Sequence, residues 1–115
     1  MKTIIAGSRD ITDPLIVGIA TTQSGFNITE VVSGTARGVD SLGETWALSR
    51  GLPIKRFPAD WGRHGKAAGY VRNREMSQYA DALIAIWDTK SKGTGHMIDL
   101  ARAAGLKVYV HRVYA

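Results

Sequence analysis

Cysteine is absent from the 115 residues, which excludes disulfides and thiolate metal sites. Histidine is scarce: His64, His96 and His111 are scattered and form no H-x-x-x-H pattern, which argues against zinc, and no metal site is expected. Long apolar runs are missing too. No stretch approaches the roughly 18 residues of a membrane span. The opening MKTIIAGSRD has a short apolar run that breaks at Gly7-Ser8-Arg9, unlike a signal peptide. No membrane association is expected, and a cytoplasmic setting is. Linkers, internal repeats and low-complexity segments are also lacking. Acidic residues are the minority charge, 10 against 15 basic, for a net charge of +5. That excess favours anionic partners without choosing between a nucleotide, a nucleic acid and solubility alone.

What is present fits a globular domain, with 44% hydrophobic and 22% charged residues. A chain of this length buries about 65% of the surface its unfolded form exposes, so residues 1–115 are read as one domain. Strand-like and helix-like stretches alternate. Lys2–Ala6, Ile28–Val32, Ile54–Phe57, Asp81–Trp87 and Lys107–His111 read as strands. Thr12-Asp13-Pro14 reads as a helix start, with Leu15, Ile16, Ile19 and Ala20 as one apolar face and Gly25 as the stop. Val39, Leu42, Trp46 and Ala47 mark a second helix that ends near Gly51 and Pro53. Residues 59–69, rich in glycine and charge, read as a loop before a helix over 71–80. Met97, Leu100, Ala101 and Ala104 mark the last helix, closed by Gly105. This order predicts an α/β fold, a Rossmann-like doubly wound parallel sheet of about five strands with helices on both faces.

In such sheets a ligand sits outside the carboxyl ends of the strands, where the strand order reverses. The segments after the first, second and fourth strands converge there. Gly7, Ser8 and Arg9 form the first. The second, Ser33-Gly34-Thr35-Ala36-Arg37-Gly38 followed by Asp40, joins a strand to a helix, where glycines let backbone amides approach a phosphate and the helix N-terminus adds positive potential. Asp40 either caps those amides or accepts from a ribose hydroxyl. The third runs from Trp87 and Asp88 through Ser91 to Gly93, Thr94 and Gly95, opening the last helix by the same logic. Neither loop has Walker or G-x-G-x-x-G spacing. Arg63, His64, Lys66, Arg72 and Arg74 fall within twelve positions that hold no acid. One guanidinium of Arg72-Asn73-Arg74 suits a phosphate, while the other pairs with Glu75 or a neighbouring helix. Trp87 either stacks on a base or packs at the end of its strand, and Trp46 belongs to the core. His64 and His96 lie near the rim without a visible partner.

Four stretches in order, GSR at 7–9, SGTARGVD at 33–40, AAGYVRNREM at 67–76 and ADALIAIWD…SKGTGHMIDLA at 80–101, resemble the SLOG superfamily, specifically its YspA/YpsA-related branch. The resemblance spans nearly the whole chain. It implies a Rossmann-like fold, a nucleotide-type ligand and, from its relatives, a homo-oligomer. The Lonely Guy nucleotide hydrolases carry a catalytic arginine before the fourth strand and then P-G-G-x-G-T-x-x-E, whose glutamate is also catalytic. Arg72 matches that arginine, and Gly93 with Thr94 matches the G-T. The glutamate position falls on Met97, and Thr89 to Lys92 replace the P-G-G. DNA-processing protein A, which binds single-stranded DNA, has S-G-x-A-x-G-I-D and R-N-R stretches similar to 33–40 and 72–74, with Glu44 here where it usually has a histidine.

The expectation is therefore a binder of a nucleotide or nucleotide-derived, ADP-ribose-like ligand, acting as sensor, carrier or sink, with no resident cofactor. An N-glycosidase or phosphoribohydrolase comes second, because methionine neither activates water nor stabilises an oxocarbenium charge. Its acids would be Glu44, Glu75, Asp88 or Asp99, with Arg72, Glu75 and Asp88 the leading catalytic candidates. A single-stranded nucleic-acid-binding module comes third, since only Trp61, Tyr70 and Trp87 offer stacking surfaces.

Overall fold

Aliphatic runs without charge are stable only where both faces of a strand are covered, and Ala82–Ile86 is buried throughout. In a computed structural model, which describes residues 1–114, this run is β4 (Ala82–Trp87) of a five-stranded parallel sheet. The others are β1 (Lys2–Gly7), β2 (Glu30–Ser33), β3 (Ile54–Arg56) and β5 (Lys107–Arg112). The order across the sheet is β3-β2-β1-β4-β5. The chain winds outward from β1 in one direction and from β4 in the other, so the reversal lies between those two strands. Their register runs from Thr3 opposite Ala82 to Gly7 opposite Ile86.

Four helices cover the sheet, α1 (Ile16–Ser24), α2 (Val39–Ser49), α4 (Ala68–Tyr79) and α5 (Lys92–Ala103), and the one-turn α3 (Trp61–His64) packs on α4. Alternation along the strands divides the core in two. Ile5, Val31, Ile84 and Ile86 pack with Val17 of α1 and Val39 of α2. On the opposite face Ile4, Val32 and Leu83 pack with Met76 of α4 and Met97 of α5. Each such side chain contributes about 1.5–3 kcal/mol through burial. This is the doubly wound Rossmann-like architecture that the alternation predicts.

Two local expectations are corrected. Thr12-Asp13-Pro14 does not cap a helix. The Asp13 carboxylate accepts the Leu15 amide at 3.0 Å in a turn, and α1 begins only at Ile16. The buried face of α1 is Val17, Ala20 and Thr21, whereas Leu15 and Ile19 are 71% and 48% exposed. Leu15 and Ile19 therefore face solvent, while Ile16 stays packed against the core. The stretch 59–69 is not a plain loop either. Asp60 caps α3 by accepting the Arg63 amide at 3.1 Å, a 3-10 turn follows at Gly65–Ala67, and α4 begins at Ala68. Glycines alone do not break a helix when a cap and a packing surface are in place.

Candidate functional site

Three chain segments meet beyond the carboxyl ends of β1, β2 and β4. Ser8, directly after β1, fastens them. Its amide donates to the Ile86 carbonyl at 3.1 Å, its hydroxyl accepts the Asp88 amide at 3.1 Å, and its carbonyl accepts the Val39 amide at 3.3 Å. Gly38 fits against the same segment at φ 74° and ψ −129°. A Cβ there would overlap the carbonyls of Ser8 and Arg9. Only glycine suits that position, for steric and conformational reasons together.

The bend after β2 is built around two carboxylates. The buried Ser33 hydroxyl donates to Glu44 Oε2 at 2.6 Å and accepts the Thr35 amide at 3.1 Å, while Glu44 Oε1 takes the Arg56 guanidinium at 2.9 Å. This holds Thr35 at φ 64°, a costly conformation for a β-branched residue. Asp40, in the first turn of α2, accepts the Ala36 amide at 3.1 Å and is only 6% exposed. Burial pushes its carboxyl up to about 6, against the pull of the Ala36 and Gly7 amides and of the Arg72 and Arg9 charges.

The bend after β4 has a parallel construction nearer to solvent. Asp88 accepts the Ser91 and Lys90 amides, both at 2.8 Å, and these bonds hold its carboxyl below the usual range. Thr89 sits at φ 68°. Ser91 caps α5 by accepting the Thr94 amide. The Trp87 indole donates to the Ser91 carbonyl at 3.0 Å, and its ring lies against Gly95.

Two consecutive residues of α4 join these bends. Arg72 Nη1 donates to the Gly34 carbonyl, and its Nε donates to Asn73 Oδ1 at 3.0 Å. Asn73 Nδ2 donates to the Gly93 carbonyl at 3.2 Å and lies 3.2 Å from His96 Nδ1. Partial burial lowers the Arg72 pKa from its ordinary value, with Asp40 opposing the change. Burial also lowers that of His96, whose ring packs edge-on against Tyr70 at 4.4 Å.

Between the bends lies a cavity of about 220 Å³. Gly7, Arg9, Ala36 and Asp40 form one side, and Ser91, Gly93 and Thr94 face them with Arg72 and Asn73 between. A second hollow, of about 290 Å³, adjoins it across Arg9, Ala36, Trp61 and Arg72, and is completed by Gly34, Thr35 and Arg37 with Pro58 and Ala59. Six of the residues expected from the sequence to bind ligand line neither space. Ser8, Ser33, Gly38 and Asp88 hold the bends in shape, while Trp87 and Gly95 pack against each other behind the third segment. Glu75 is exposed on α4, away from both spaces. Asp40 is the one carboxylate in either wall among the described residues, and no group of three His, Cys, Asp or Glu residues among them is placed to hold a metal.

Not foreseen from the sequence are the apolar floor, Ala6, Met76 and Met97, and Gly69; the outer wall is completed by Trp61 and Tyr70, expected only as stacking surfaces for a nucleic acid, and by Lys66 of the basic run. A signal for part of it existed. Once α4 starts at Ala68, Gly69, Arg72, Asn73 and Met76 share one helical face by i, i+3, i+4 and i+7 spacing. With Arg9, Lys66 and Arg72 facing a single buried carboxylate, the space suits an anion that also carries an apolar or aromatic portion.

A family model described as YAcAr, the YspA, cpYpsA-related SLOG family, matches residues 1–64. A protein described as Gene 61 protein, from Mycobacterium phage D29, is 39% identical over 84 residues, which cover 68% of this chain and 67% of the phage protein.

Proposed function

Because the chain belongs to the YspA, cpYpsA-related SLOG family, we propose that it binds a nucleotide or a nucleotide-derived molecule in the cavity between the two bends, as a sensor, carrier or sink. The observation that carries this reading is the clasp of Arg72 on Gly34 and Asn73 on Gly93. It holds two amide-bearing bends at a fixed separation around one space, so the site is preformed for an anion. In this reading phosphate meets Arg72, Arg9 and Lys66, the sugar lies near Asp40, and the base covers Met76 and Met97 beside Tyr70.

Binding ranks above glycosidic hydrolysis. A hydrolase needs a carboxylate that reaches the anomeric carbon. None of Glu44, Glu75, Asp88 and Asp99 lines the cavity, and Met97 occupies its floor. Asp40 faces inward but already accepts the Ala36 amide.

The direct test is mass spectrometry of small molecules released from the natively purified protein, followed by calorimetry with the compound found. Arg72→Ala is expected to weaken an anionic ligand by about 1.5–3 kcal/mol, the range for a charged hydrogen bond. If no nucleotide co-purifies and none binds from a panel of mononucleotides, ADP-ribose and cyclic dinucleotides, the proposal fails. Binding of an oligonucleotide whose affinity falls with salt by a slope of about 0.7 per phosphate would instead favour single-stranded nucleic acid. Self-association belongs to the same reading and is checked by sedimentation velocity. No helix among the described residues is long and apolar enough to cross a membrane.

A further inference from the structure

We infer that the hollow adjoining the main cavity is the seat of a second phosphate, so that the ligand carries a diphosphate rather than a lone phosphomonoester. This rests on the nucleotide reading above and adds to it the number of phosphates. The two spaces differ in chemistry. The main cavity has an apolar floor, Met76 and Met97, and the buried Asp40 in its wall. The adjoining hollow has no carboxylate in its wall but three guanidiniums, those of Arg9, Arg37 and Arg72.

Arg9 and Arg72 border both spaces, so an anion between them sits at the junction. The two ion pairs among the described residues are Arg37 with Asp10 and Arg56 with Glu44, which leaves Arg9 and Arg72 without a bonded carboxylate. Arg37 borders only the outer hollow, and its pairing with Asp10 is loose, at 3.5 Å between side chains 76% and 89% exposed. Solvent-screened pairs of this kind exchange readily for a better anion. A phosphomonoester brings about two negative charges, and Arg9, Lys66 and Arg72, offset by the Asp40 carboxylate, balance it. Arg37 then remains for one more phosphate, which the outer hollow has the volume to hold. Placed at the junction, a first phosphate leaves its nucleoside in the apolar cavity and its phosphoanhydride partner pointing at Arg37.

The test is calorimetry of the full chain with the four ribonucleoside 5′-monophosphates, the matching diphosphates, inorganic phosphate and pyrophosphate. For the base that binds, the diphosphate is expected to bind at least about tenfold more tightly than the monophosphate. Arg37→Ala is expected to remove that increment while changing monophosphate affinity by less than about twofold, and Arg102→Ala, which alters net charge on the last turn of α5, is expected to leave the increment in place. Equal affinity for mono- and diphosphate, or equal weakening of both by Arg37→Ala, overturns the second-phosphate site while the nucleotide reading stands. If no nucleotide, ADP-ribose or cyclic dinucleotide binds but pyrophosphate binds more tightly than phosphate and loses that advantage in Arg37→Ala, the outer site stands and the nucleotide reading falls. If none of the eight nucleotides and neither inorganic anion binds, the second-phosphate site falls, and the nucleotide reading falls with it when ADP-ribose and the cyclic dinucleotides also fail to bind.

Discussion

The bends after β2 and β4 look alike in sequence, each with glycines and small hydroxyl residues between a strand and a helix, yet they are held by different physics. The first is locked from within. Gly38 is wedged against two carbonyls, Asp40 is buried on the Ala36 amide, and the Glu44 carboxylate lies beneath Ser33. The second is closed from outside. Asp88 and Ser91 tie its amides in solvent, and a Cβ on Gly93 would meet nothing within 4 Å. A glycine is thus obligatory in one bend and dispensable in the other. The same letter in two loops carries two meanings.

Substitutions in the two bends are expected to differ in cost. The largest effect is expected from Gly38→Ala. Its methyl group would overlap backbone atoms at a positive φ, so a loss of more than about 3 kcal/mol is expected in urea unfolding. A loss below about 1 kcal/mol would show that the first bend yields.

Next comes the pH dependence set by Asp40. Its native pKa of about 6 lies above the ordinary 3.8, so the folded protein retains a proton that the unfolded chain has released. The stability this proton contributes is complete below about pH 3.8 and is lost as pH rises through 6, an effect of about 3 kcal/mol. Asp40→Asn is expected to remove that falling limb, so that the difference in stability between variant and native protein grows from pH 4 to pH 6 and levels above. A difference independent of pH would place the ionised carboxylate in a better-solvated setting.

Smaller effects belong to the second bend. Ser91→Ala, which removes the cap of α5, is expected to cost about 0.5–1 kcal/mol in thermal unfolding. Gly93→Ala, near the start of the same helix in open space, is expected to be neutral or to stabilise by about 0.5 kcal/mol. Should Gly93→Ala prove as damaging as Gly38→Ala, the contrast between the bends would disappear.

The order of strands and helices along the chain was legible because it follows from periodicity and punctuation, and the convergence of the bends because a doubly wound sheet brings them to one edge. Ala82–Ile86 is apolar throughout, and Gly25, Gly51 and Gly105 all adopt positive φ where helices were expected to stop. Ser91 could be read as opening α5, since a small hydroxyl before a helix is a strong local signal. The start of α1 was not legible. Asp13 satisfies an amide in a turn as well as in a cap, and the choice depends on how α1 rests on the sheet. The helical setting of Trp61, Lys66 and Tyr70 was hidden by glycines at 62, 65 and 69, which suggested a loop where the Asp60 cap and contact with α4 enforce helix. Met76 and Met97 were visible as apolar residues on helices. That their side chains form the floor of a cavity follows only from the crossing of α4 and α5 over the end of β1.

The pairing of β1 with β4 also governs how the protein is made. Lys2 and Asp81 are bonded across 79 positions, and Ser8 and Asp88 across 80. While the nascent chain emerges from the ribosome, β1 gains β2 early but exposes its other edge until β4 has been made. An open edge beside aliphatic side chains is a template for wrong pairing. A fragment ending after Tyr79 keeps that edge permanently and is expected to aggregate, so synthesis has to run through Trp87 before the protein is safe from its own neighbours.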